Sequence, residues 1–187
     1  MSYLIGSTFN SIVNILMINP KKQKKQFAKV YDKNIDKIYR FVFLKVSSSE
    51  IAEDLTAQVF TKGWNVFRKR DDIENPVAYL YQIARTEIAN HYRDKAKFPM
   101  ALIEESLILD PNPNQEESQG AQSELETIKL CLAKLPDEQQ NVIIWRYLDG
   151  FSNKEIAKIL EKEEGTVRVI IHRALKEIKG KMTDIGL

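Results

Sequence analysis

The side chains with the clearest chemical potential in this sequence are cations and aromatic rings set at helical spacing. Near the C-terminal end, Arg168, His172, Arg173, Lys176 and Lys179 recur at short steps, interleaved with Val167, Ile171, Ala174 and Ile178. A helix with that pattern buries the apolar stripe and leaves the cations outside. Such cations suit phosphate oxygens and base edges. A plain helical hairpin with a solvated basic face fits the same pattern. A second cluster interleaves rings, amides and cations: Tyr79, Tyr81, Arg85, Asn90, His91, Tyr92, Arg93, Lys95 and Lys97. Rings stack on unpaired bases while cations hold the backbone of a single strand, although tyrosines at helical spacing also serve as core. No catalytic constellation accompanies these residues. The sequence has no Gly-rich phosphate loop and no metal-ligand spacing, and His91 and His172 lie far apart. Cys131 sits between Leu130 and Leu132 and reads as a small buried apolar residue. The expectation is a binding protein rather than an enzyme, with no cofactor and no metal.

The charge distribution supports a nucleic-acid partner better than the net charge does. The whole chain carries only +2 over 187 residues. Residues 20–97, however, hold 17 Lys/Arg against 10 Asp/Glu, whereas residues 98–124 hold none against 6. The first block attracts phosphate and the middle repels it. A hydrophobic content of 43% with 29% charged residues describes a soluble globular protein. The apolar run Ile12 to Ile18 is too short to span a bilayer, and no basic residue precedes it. A cytoplasmic protein without membrane insertion is expected. Residues 1–25 read as an N-terminal extension, and Met17 is an alternative natural start.

The elements that must position these residues are all helical. Residues 26–46 and 50–67 carry apolar residues at helical spacing, separated by Ser47-Ser48-Ser49, one of which caps the second helix. Arg68 to Asn75 is a charged loop, and Pro76 suits the first turn of a third helix reaching Lys97. Residues 98–124, with Pro99, Pro111, Pro113 and Gly120, read as a flexible acidic linker. Helices over 125–135 and 137–148 follow, broken by Pro136. Ser152-Asn153-Lys154-Glu155 is a capping-box sequence opening a short helix to Leu160. A turn then leads into a helix over 165–179. Two short helices joined by a tight turn form a helix-turn-helix pattern.

These motifs resemble the extracytoplasmic-function sigma factors, the small members of the main bacterial sigma family. The similarity covers residues 27–97 and 125–181. It rests on AEDLTAQVFTKGWNVF at 52–67, NPVAYLYQIARTEIANHYRDKAK at 75–97, LAKLPDEQQNVIIWRYLDGFSNKEIAKIL at 132–160 and EGTVRVIIHRALKEIK at 164–179. The resemblance implies an all-α fold of two small domains. Region two, over 26–97, has three helices; region four, over 125–182, has four and contains the helix-turn-helix. It implies core RNA polymerase and promoter DNA as partners, with an anti-sigma protein as a further one. Asp54, Gln58 and Thr61 would contact the polymerase clamp. Asn75, Tyr79, Arg85, Asn90, Arg93 and Lys97 would hold the minus-ten element, with Asn75 touching a flipped base. Thr166, Arg168, His172, Arg173 and Lys176 would read the minus-thirty-five element. The acidic linker would follow the RNA exit path.

The chain departs from the family pattern at several positions. Ala57-Gln58 stands where Gln-Glu is usual, and Gln82 where Arg is usual. The turn Glu161-Lys162-Glu163 replaces Gly-apolar-Ser, which removes a helix cap and adds carboxylates near DNA. Val169 and Ile170 replace Ser-Arg. An apolar Ile170 suits a thymine methyl rather than guanine or phosphate; packing of both residues against a protein partner is the other expectation. A helix-turn-helix regulator acting without polymerase is the competing function. The clamp-like helix argues against it.

Overall fold

In a computed structural model, the structure describes residues 20–70, 73–97 and 128–185, and its helices fall along the chain into two units, one over 20–97 and one over 128–185. The first unit contains α1 (Pro20–Val46), α2 (Ser49–Phe67) and α3 (Pro76–Lys97). Helix α1 begins six residues ahead of the periodic stretch. Pro20 presets the helical φ at a position where no amide donor is needed, and the following Lys and Gln residues are good helix formers without an apolar stripe to betray them. Ser47 ends α1 in the left-handed region with φ 56°, its N–H donating to the Phe43 carbonyl at 2.8 Å. Ser48 then caps α2 by accepting from the Ile51 N–H.

The first core mixes aromatic ring clusters with aliphatic side chains. Phe27 packs on Phe60, Trp64 and Phe67 with ring centroids 5.4–6.4 Å apart. Phe41 meets Tyr81 edge-on at 5.4 Å, alongside buried Ile38, Val42, Val59 and Leu80. Gly63 makes the approach of α2 and α3 possible: a Cβ there would collide with Leu80 Cδ2. An ion pair also joins these helices. Lys62 donates to the Glu87 carboxylate, which is nearly buried while the lysine is half-exposed.

The second unit contains α4 (residues 128–133), α5 (Asp137–Ile143), α6 (Asn153–Leu160) and α7 (Glu164–Ile185). Helix α5 does not end as an α-helix. Ile144–Leu148 widens into a π turn, with the Asp149 N–H reaching Ile144 O at 3.0 Å and the Phe151 N–H reaching Trp145 O at 2.8 Å. The wider turn tucks Trp145 and Ile144 fully inside, where they join Val142, Phe151, Ile156 and Val167. Residues 98–124, the expected linker, and 125–127, the expected start of the next helix, lie outside the described residues. Among the described residues no helix is long and apolar enough to cross a membrane.

Candidate nucleic-acid interface

The helix-turn-helix is assembled from local hydrogen bonds that the sequence dictates. Gly150 takes φ 75°, a left-handed value that costs glycine nothing. Arg146 reaches across to the Phe151 carbonyl at 3.0 Å, fixing the loop to the end of α5. The capping box then closes in both directions. Ser152 Oγ accepts from the Glu155 N–H at 3.2 Å, and the Glu155 carboxylate accepts from the Ser152 N–H at 2.8 Å and from its hydroxyl at 2.7 Å. Ile156, Ala157, Ile159 and Leu160 are buried, so α6 is held on its apolar side. Its turn into α7 puts Glu161 at φ 54°, a left-handed value usually left to glycine. Glu163 supplies only its carbonyl to the first turn of α7, accepting from the Val167 N–H at 3.2 Å.

The rotation of α7 is set by Val167, Ile170, Ile171 and Ala174, all buried. Ile170 therefore belongs to the core at 8% exposure, which corrects its expected contact with a base methyl or a partner. It lies three residues after Val167 and four before Ala174, inside the same stripe. Thr166, Arg168, His172, Arg173 and Lys176 are all exposed. Arg168 does not extend alone: it donates to the Glu164 carboxylate at 2.6 Å, one turn back. The pair is solvent-exposed and partly offsets the local positive charge without fixing the side chain. Val169, by contrast, is 48% exposed.

In the first unit, Asp54, Gln58 and Thr61 follow at four- and three-residue steps on the outer face of α2, and all three are exposed. The opposite face, with Leu55, Thr56, Val59, Phe60 and Gly63, is buried. Asn75 caps α3, its Oδ1 accepting from the Ala78 N–H at 3.0 Å. Its side-chain carbonyl is thus committed to the helix and its amide NH2 remains the group to offer a ligand. Tyr79 and Asn90 are half-buried and Arg93 exposed, and with Thr86 they form one stripe along α3. Thr86 carries neither ring nor charge, so side-chain type does not mark it in the sequence; its spacing from Tyr79, Asn90 and Arg93 does. Arg85 lies to the side of that stripe, half-buried. Tyr81 is fully buried against Phe41, so it is core and not a stacking platform. Lys97 closes α3, and its side chain lies outside the described residues. Among the described residues no group of His, Cys, Asp or Glu could hold a metal ion.

Comparison with known proteins matches both units. The family described as Sigma-70 region 2 matches residues 30–98, and that described as Sigma-70, region 4 matches residues 125–178. The RNA polymerase sigma factor YlaC of Bacillus subtilis is 31% identical over 169 residues, covering 87% of this chain and 95% of that protein. The ECF RNA polymerase sigma factor BldN of Streptomyces coelicolor is 26% identical over 168 residues, covering 84% of this chain; the chain spans 61% of that relative's length. Among solved structures, the sigma factor RpoE of Bartonella quintana, crystallised with the anti-sigma factor NepR, superposes with a TM-score of 0.64 at 22% identity, covering 85% of this chain and 98% of that one.

Proposed function

The chain belongs to the sigma-70 family of RNA polymerase sigma factors, as one of the extracytoplasmic-function type, and we propose that it is a transcription initiation factor that binds core RNA polymerase, directs it to specific promoters and helps open them. One observation carries this reading. Both matched regions stand in order on one chain, and a regulator acting on duplex DNA alone has no use for the first.

The roles divide by unit. The exposed stripe Asp54, Gln58 and Thr61 on α2 docks on the polymerase clamp. The Asn75 loop and the α3 stripe of Tyr79, Asn90 and Arg93, with Arg85 and Lys97 nearby, hold the separated minus-ten strand. Extruding a base costs a few kcal/mol, which stacking and hydrogen bonds to the flipped base offset. Helix α7 enters the major groove at the minus-thirty-five element, with Thr166, Arg168 and His172 toward base edges and Arg173 and Lys176 toward phosphates. Each site binds weakly, and joining them on one chain raises affinity through effective concentration. Work with polymerase on the chromosome puts the protein in the cytoplasm, where an anti-sigma protein is the expected regulator.

Run-off transcription with purified core polymerase on a genomic fragment library tests the reading. Discrete start sites that depend on this protein support it. Sequence-specific duplex binding without polymerase, and no new transcripts with it, would favour a stand-alone regulator instead.

A further inference from the structure

Val169 lies near the centre of the outward face of α7, and we propose that it reads sequence there, its methyl groups packing on the C5-methyl of a thymine in the upstream promoter element. This deepens the assignment of α7 as the recognition helix and rests on it. The buried stripe fixes the helix rotation, and at about 100° per residue Val169 falls nearly opposite that stripe. Nearly half of Val169 is exposed, whereas Ile170 and Ile171 beside it are buried. Its neighbours on the outward face are Gly165 and Thr166 one turn earlier, His172 and Arg173 one turn later, and Lys176 beyond, all exposed. A Cβ on Gly165 would meet nothing within 4 Å, so the approach from the N-terminal side is open.

The setting selects the ligand. A protein-docking patch needs contiguous apolar surface, and Val169 is bordered by a glycine, a threonine, a histidine and two cations, with the other exposed apolar residue of α7, Leu175, about a third of a turn away round the helix. Those cations suit phosphates on either side of a groove. Within the major groove the thymine methyl is the apolar group on offer. A single valine ringed by phosphate-seeking groups is therefore matched to that methyl. It has no hydrogen-bonding group with which to read guanine or cytosine.

The test uses the full-length protein with core polymerase and promoter fragments recovered by run-off transcription. Each thymine of the upstream element is replaced in turn by uracil, which removes only the methyl. At one position uracil is expected to weaken the wild-type complex about fourfold, the effect of one buried methyl. With Val169→Ala that same replacement should change nothing, and Ile170→Val should leave the thymine-to-uracil ratio as in the wild type. The inference is overturned if no thymine is methyl-sensitive, if the sensitivity survives Val169→Ala, or if Val169→Ala weakens polymerase association in the absence of DNA, which would mark a protein contact. Failure of the wild-type chain to bind any promoter with polymerase would bring down the broader function as well; binding that ignores the methyl overturns this inference alone.

Discussion

At Glu161 the backbone sits at φ 54° with a side chain attached, a conformation that costs an ordinary residue roughly 1–2 kcal/mol. Two residues later Glu163 occupies the cap position of α7, where a short hydroxyl side chain would accept from the helix and a glutamate is a poor substitute. Glu161→Gly relieves the strain but adds unfolded-state entropy of about 0.4–1 kcal/mol. Glu163→Ser gains a cap of about 1 kcal/mol, less a few tenths for the lost carboxylate near the helix N-terminus. The double variant should therefore be more stable by about 1 kcal/mol in urea unfolding, with an unchanged m-value. A Tm at or below wild type would show that the turn is not strained. Gly63 is the opposite case. Alanine improves helix propensity by about 1 kcal/mol, but its Cβ collides with Leu80, which is only 1% exposed. Overpacking of that kind costs about 1–3 kcal/mol, so Gly63→Ala should destabilise by about 1 kcal/mol, and Gly63→Val, without the propensity gain, by about 3. Thermal unfolding followed by circular dichroism reads both. At this scale the sequence was a partial guide. The exposed cations of α7 are legible from the buried residues between them, whereas Ile170, standing where the family has arginine, reads as a surface residue although its spacing from Val167 and Ala174 puts it in the buried stripe. Asn75 showed its type but not that its carbonyl would be used by α3.

Elements were more legible than residues, because helices announce themselves by apolar periodicity and by their caps. The Ser152–Glu155 box was readable from four letters, and its hydrogen bonds form in both directions. Ser152→Ala removes the hydroxyl that serves the Glu155 N–H and should destabilise the second unit by about 1 kcal/mol, a fall of roughly 4–8 °C in its melting temperature. Ser152→Thr, which restores a hydroxyl that both accepts from the Glu155 N–H and donates to its carboxylate, should recover most of the loss; equal effects of the two substitutions would argue that the box is not what holds α6. What periodicity could not give is where helices begin without an apolar stripe or how they end. The lysine-rich start of α1 is helical by propensity and a well-placed proline. The α7 helix runs on to Ile185, past the last residue of the periodic stripe and through Gly180, Thr183 and Asp184, which propensity alone would not favour. The π turn at Ile144–Leu148 has no sequence signature. It arises because Trp145 and Phe151 must both reach the core across a loop that Arg146 ties down.

Over the whole molecule, the proposed function assigns recruitment to one unit and upstream reading to the other, and the two should fail separately. Asp54 is exposed on the face of α2 opposite the core, so Asp54→Lys leaves the fold intact while reversing charge at the proposed clamp contact. Juxtaposed like charges suppress a complex strongly, and association with core polymerase should fall by at least about tenfold, with transcription lost at every promoter. Arg173→Ala should leave polymerase association unchanged. If Arg173 neutralises one phosphate, its removal releases about one fewer counterion, and the slope of log K against log salt for the promoter complex should flatten by about 0.9. The loss should be uniform across upstream sequences, since a phosphate contact carries no base information. Measuring both variants in both assays, polymerase pull-down and salt-titrated promoter binding, gives a crossed design. An Asp54→Lys protein that still co-purifies with polymerase removes the clamp assignment. An Arg173→Ala protein with an unchanged salt slope removes the phosphate contact, and an Arg173→Ala protein that loses polymerase would mean that α7 faces protein where it is proposed to face DNA.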